Sequence, residues 1–111
     1  MSEETTGLSL ETQRLLCGVL ARHPQVETAV LYGSRAKGNF KPGSDIDLTL
    51  IGEGLQFDDL LEIADEFDDL PIPHSVDVSI RDRIDNPALR EHIRRVGIGL
   101  YLREGQAPSE P

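Results

Sequence analysis

The densest chemistry in the chain lies between Gly33 and Leu48. This stretch, GSRAKGNFKPGSDIDL, sets a Gly-Ser pair and an Asp-x-Asp pair on either side of a basic crossing, with ten residues between Ser34 and Asp45. In SDIDLTLI the apolar positions Ile46, Leu48 and Leu50 alternate with Asp45, Asp47 and Thr49, so on a strand both carboxylates project from one face. Like charges held that close repel unless a cation lies between them. Oxygen ligands without a nearby His or Cys suit Mg2+ or Mn2+ better than Zn2+, and Mg2+ takes one or two carboxylates together with substrate phosphates. Gly33 and Ser34 offer backbone N–H groups and a hydroxyl where a phosphate can approach without meeting a side chain. A third carboxylate, Asp77, falls in SVDVSI, where Val76, Val78 and Ile80 alternate with Asp77 and Ser79.

Arg35, Lys37 and Lys41 add positive charge to the crossing. They read equally as solvated turn residues and as charges that offset an acidic pocket.

Periodicity shows the elements that must hold these groups. SLETQRLLCGVLARHP places Leu15, Leu16, Val19 and Leu20 at helical spacing, with Ser9 as N-cap and Pro24 beyond the end. VETAVLYG is a strand that stops at Gly33. Phe57, Leu60, Leu61, Ala64 and Phe67 form the apolar stripe of a second helix, whose other surface carries the seven acids between Phe57 and Leu70. Asn86 as N-cap, Pro87 at the first helical position and Gly97 just past the end bound a third helix, and IGLYL closes the chain as a strand. The expected fold is α/β (α+β): a mixed sheet of about four strands, helices packed on one face, and an open polar face bearing Asp45, Asp47 and Asp77. A single domain over 8–104 is expected, with flexible tails at 1–7 and 105–111.

Composition narrows the function. A net charge of −9 on 111 residues argues against direct nucleic-acid binding, which needs a basic surface. No apolar run approaches the roughly 18 residues of a membrane span. The start, MSEETTG, lacks the basic and apolar regions of a secretory signal, so the expected location is the cytoplasm. The single cysteine, Cys17, sits in LLCGVL and reads as core packing. His23 and His74 beside prolines, and His92 on a helix, read as structural or exposed groups, not ligands. Arg90, Arg94 and Arg95 read as a polar helix face.

GSRAKGNFKPGSDIDL resembles the G-S-x10-D-x-D signature of the DNA polymerase β-type nucleotidyltransferase superfamily, and with Asp77 the likeness extends over most of the chain. It is most similar to the minimal nucleotidyltransferase (MNT) domains. The resemblance implies a nucleotidyltransferase fold in which Asp45 and Asp47 bridge two Mg2+ ions, with Mn2+ an alternative. It implies that Asp77 completes the metal site or acts as base, and that Gly33 and Ser34 hold the β- and γ-phosphates of ATP or another nucleoside triphosphate. Arg35, Lys37 and Ser44 are further candidates to line the nucleotide.

Proteins of this size in the family resemble the smaller member of two-gene pairs. Their partner is an all-helical HEPN protein, either a toxin or a substrate-binding subunit, so a hetero-oligomer is expected. The implied activity is transfer of AMP to a tyrosine of the HEPN toxin, which makes the MNT protein the antitoxin. Two rival readings stand beside this one: a non-catalytic subunit that neutralises the partner by masking it, and a small-molecule nucleotidyltransferase subunit.

Overall fold

The structure, a computed structural model, describes residues 6–103. Its elements are α1 (Leu10–Ala21), β1 (Thr28–Tyr32), α2 (Ser34–Lys37), β2 (Ile46–Ile51), α3 (Phe57–Asp68), β3 (Val76–Ile80), α4 (Pro87–Val96) and β4 (Ile98–Leu102), with a 3-10 turn at Arg81–Arg83. The order is the one the periodicity predicts. Local signals set the helix starts: the Ser9 hydroxyl accepts from Thr12 N–H at 3.0 Å, and the Asn86 side chain accepts from Ala88 and Leu89 N–H ahead of Pro87.

The strands form one sheet in the order β3-β2-β1-β4. β1 lies antiparallel to both β2 and β4, whereas β2 and β3 run parallel across the α3 crossover. Flanked on both edges, β1 is buried at all five positions. On one face Leu31, Leu48 and Leu50 meet Leu16 and Leu20 of α1 and Ile63 and Phe67 of α3 in a common core. Arg22 and His23, at the end of α1, both bond to Glu66 of α3, which ties the two helices together.

Three expectations change. The stripe of α3 is rotated from the predicted one, with Ile63 and Phe67 buried while Phe57 and Leu61 stay more than half exposed. The helices are not confined to one face: Ile93 and Leu89 of α4 pack on Val30, Tyr32 and Ile51 on the opposite side of the sheet, covering part of the expected open surface. The predicted tails at 1–7 and 105–111 lie outside the described residues except for Thr6 and Gly7. Thr6 is fully buried and its carbonyl accepts from Arg35, so the packed structure begins before residue 8.

Candidate active site

Register lines up three polar side chains. Tyr32 pairs with Asp47 across β1 and β2, and Asp47 pairs with Asp77 across β2 and β3, so the three form a row on the α4 side of the sheet. Asp45 lies one residue before β2 and is exposed, as is Asp77, while Asp47 is half-buried between them. Burial, and then the charges of Asp77 and Asp45, raise the Asp47 carboxyl above its usual range. Burial also pushes the Tyr32 phenol up; a hydrogen bond with Ser79 offsets this, and the charges of Asp47 and Asp77 add to it. The row thus sets a neutral phenol beside two carboxylates, with Asp45 a third carboxylate close by.

The Gly33–Ser34 turn closes over the same end of the sheet. Gly33 has φ +76° and ψ −154°, a region that residues with a side chain rarely occupy. A Cβ at Gly33 would strike Oδ2 of Asp47, so glycine lets the turn lie directly on that carboxylate. Its carbonyl accepts from Lys37 N–H at 3.1 Å, which starts α2, and its own N–H donates to Nε2 of His92 at 3.1 Å. The Ser34 hydroxyl has no partner among the described residues.

The crossing residues divide between buried and exposed positions. Arg35 is 1% exposed and does not reach solvent as a phosphate ligand. Its Nε and Nη2 donate to the Ser44 carbonyl at 3.1 and 2.9 Å, Nη1 donates to the Thr6 carbonyl at 2.8 Å, and Nη2 also donates to Nδ1 of His74 at 3.2 Å. The guanidinium stacks 5.0 Å from the Phe40 ring centroid. Arg35 is thus a strut joining the segment before α1, the crossing and the approach to β3, and it fixes the backbone one residue ahead of Asp45. Ser44 also serves the crossing, since its hydroxyl accepts from Lys41 N–H at 2.8 Å. Lys37 stays exposed on the last residue of α2.

His74 and His92 make structural hydrogen bonds, in line with their reading as structural groups, but their partners Arg35 and Gly33, and the place of Tyr32 beside Asp47, were not foreseen. Each partner is remote in the chain, and nothing in the local pattern marks it.

The carboxylates suit a hard divalent cation by their chemistry: all donors are oxygen, and Asp77 and Asp45 add like charge beside the half-buried Asp47. Among the described residues no three His, Cys, Asp or Glu side chains converge as a ready-made cage. No described helix is long and apolar enough to cross a membrane.

Residues 16–106 match the sequence family described as Polymerase beta, Nucleotidyltransferase. No curated protein sequence matches the chain significantly. Among solved structures, the chain is similar to one of a toxin–antitoxin with AMP-PNP, at TM-score 0.68 and 19% identity over 83% of this chain and 74% of that one. It is also similar to the toxin–antitoxin MntA-HepT, at TM-score 0.64 and 16% identity over 86% of this chain and 74% of that one. A third similar structure is that of a tri-AMPylated Shewanella oneidensis HEPN toxin in complex with MNT antitoxin, at TM-score 0.58 and 18% identity over 83% and 74% of the two chains.

Proposed function

The chain belongs to the polymerase β nucleotidyltransferase family, and on that premise we propose that it transfers AMP from ATP to a tyrosine hydroxyl of a HEPN toxin and so acts as its antitoxin. The observation that carries this reading is the register of Asp47 with Asp77, beside a glycine turn that leaves no room for a side chain. Two neighbours support the nucleotide and the acceptor: one is a toxin–antitoxin with AMP-PNP, the other contains an AMPylated HEPN toxin. The net charge of −9 suits a basic partner surface.

Asp45, Asp47 and Asp77 would hold Mg2+, which when bound lowers the pKa of an acceptor hydroxyl and offsets charge on the leaving pyrophosphate. The Gly33–Ser34 turn receives the β- and γ-phosphates, and the α-phosphorus then lies toward the carboxylates. The acceptor oxygen attacks that phosphorus as the bond to the bridging oxygen breaks, and pyrophosphate departs on the far side. The acceptor's proton passes to Asp77 if that carboxylate stands outside the metal's shell, and its exposure on the edge strand β3 supports that alternative. Arg35 keeps Asp45 and the turn in fixed relation without touching the nucleotide.

Calorimetric titration with ATP in Mg2+ tests the nucleotide half of this proposal. The chain should bind with Mg2+ present and lose most affinity in Asp47→Asn; equal binding by both proteins, or by neither, removes the assignment.

A further inference from the structure

The Gly33 N–H is held from α4, not from the sheet. β1 ends at Tyr32, so the ladder does not reach Gly33, and its amide needs another acceptor. His92 supplies it through Nε2, and its ring packs edge-on against Tyr32 with centroids 6.3 Å and planes 80° apart. A ring nitrogen that accepts from an amide carries no proton, so the proton of the neutral ring sits on Nδ1. One imidazole therefore touches both the last residue of β1 and the first residue of the turn. Tyr32 is the register partner of Asp47, and Gly33 is the residue against which the Asp47 carboxylate lies.

We propose that His92 is a positioning residue of the nucleotide site, holding the Gly33 peptide so that the turn stays against Asp47 and leaving Ser34 as the member of the pair that meets phosphate. The inference rests on the reading of the site as a nucleotide site. Its physical basis is that Gly33 has no side chain to limit rotation, so its two peptide contacts must set its orientation. The carbonyl is fixed by Lys37 N–H within the turn itself. Only the N–H is fixed from outside, and His92 is what fixes it. Without that acceptor the Gly33 amide is able to rotate, and Ser34 and the gap to Asp47 move with it.

Two variants separate the acceptor from the ring. His92→Gln keeps an acceptor oxygen, while His92→Phe keeps an aromatic ring against Tyr32 and removes the acceptor. Imidazole nitrogen NMR, exchange of the Gly33 amide and titration with Mg2+-ATP are measured on the full chain. The proposal expects wild type to show His92 as the Nδ1–H tautomer with and without Mg2+-ATP. In His92→Phe the Gly33 amide should exchange freely and Mg2+-ATP should bind about tenfold more weakly, with the melting temperature close to wild type. In His92→Gln both properties should largely recover. Equal affinity in wild type and His92→Phe overturns the inference and leaves the site's reading intact. Release of His92 on adding Mg2+-ATP, with tighter binding in His92→Phe, also overturns it, because the Gly33 N–H would then belong to the phosphate. A wild-type chain that binds no Mg2+-ATP removes the reading of the site, and the inference falls with it.

Discussion

A methyl group on Gly33 would collide with Oδ2 of Asp47. The turn and the strand that carry the two halves of the site therefore meet with no spare volume. The obstructing atom ends a flexible side chain, so a Cβ there displaces the carboxylate more readily than the backbone. The positive φ adds strain for any residue but glycine. Gly33→Ala is expected to cost about 1–3 kcal/mol of stability and to lower transfer by at least about a hundredfold. Thermal unfolding and pyrophosphate release measure the two effects; turnover near wild type would show that the contact is not needed.

Asp47→Asn should stabilise the metal-free protein at neutral pH. The Asp47 carboxyl is raised above its usual 3.8 by burial and then by Asp77 and Asp45. The folded state thus binds that proton more tightly than the unfolded state, so the favourable contribution is complete at low pH and is lost as pH rises through the folded-state pKa. The variant should melt above wild type at pH 7, and the gap should close as pH falls below about 4. Mg2+ should narrow the gap by stabilising wild type alone. A variant that melts below wild type at pH 7 without divalent cation contradicts the charge cluster.

Arg35 should matter to stability before it matters to nucleotide. Arg35→Ala removes the donors that serve the Thr6 and Ser44 carbonyls and the side chain that fills the crossing, and should cost roughly 3–5 kcal/mol in urea unfolding. Arg35→Lys keeps the charge but lacks the planar fork that reaches both carbonyls, so about 2 kcal/mol should still be lost. Unchanged stability with weakened nucleotide binding would return Arg35 to the role of phosphate ligand.

His74 makes the Arg35 strut sensitive to acid. Its Nδ1 accepts from Arg35, so the ring must be unprotonated, and burial followed by the guanidinium's charge lowers its pKa from 6.5. With the folded-state pKa depressed, the contribution to stability is present above pH 6.5 and is lost as pH falls through the folded-state value. Wild type should melt progressively lower as pH drops below 6.5, and His74→Gln should flatten that slope. An identical slope in the variant assigns the acid sensitivity to another group.

Much of this was legible because its causes are local. Ser9, Asn86, Pro87 and Gly97 announce helix ends through their own backbone chemistry, and alternation around Asp47 and Asp77 sends both carboxylates to one face. Arg35 was not legible, since a base in a glycine-rich crossing looks solvated until Thr6, Phe40 and His74 are known to close around it. His92 was hidden for a similar reason: its partner is a backbone N–H 59 residues away. The side of the sheet taken by α4 depends on how the chain crosses after β3, which the amphipathic pattern of the helix does not encode. Phe57 and Leu61 looked apolar enough for the core, but Ile63 and Phe67 supply the side of α3 that docks.

AMP transfer is tested most directly by the intact mass of a HEPN toxin supplied as the proposed partner, after incubation with this chain, ATP and Mg2+. The partner should gain whole AMP units on tyrosine, with one pyrophosphate released per unit, and Asp47→Asn should abolish both. A partner that is neutralised while its mass stays unchanged and no pyrophosphate appears would contradict transfer and leave masking as the mode of action.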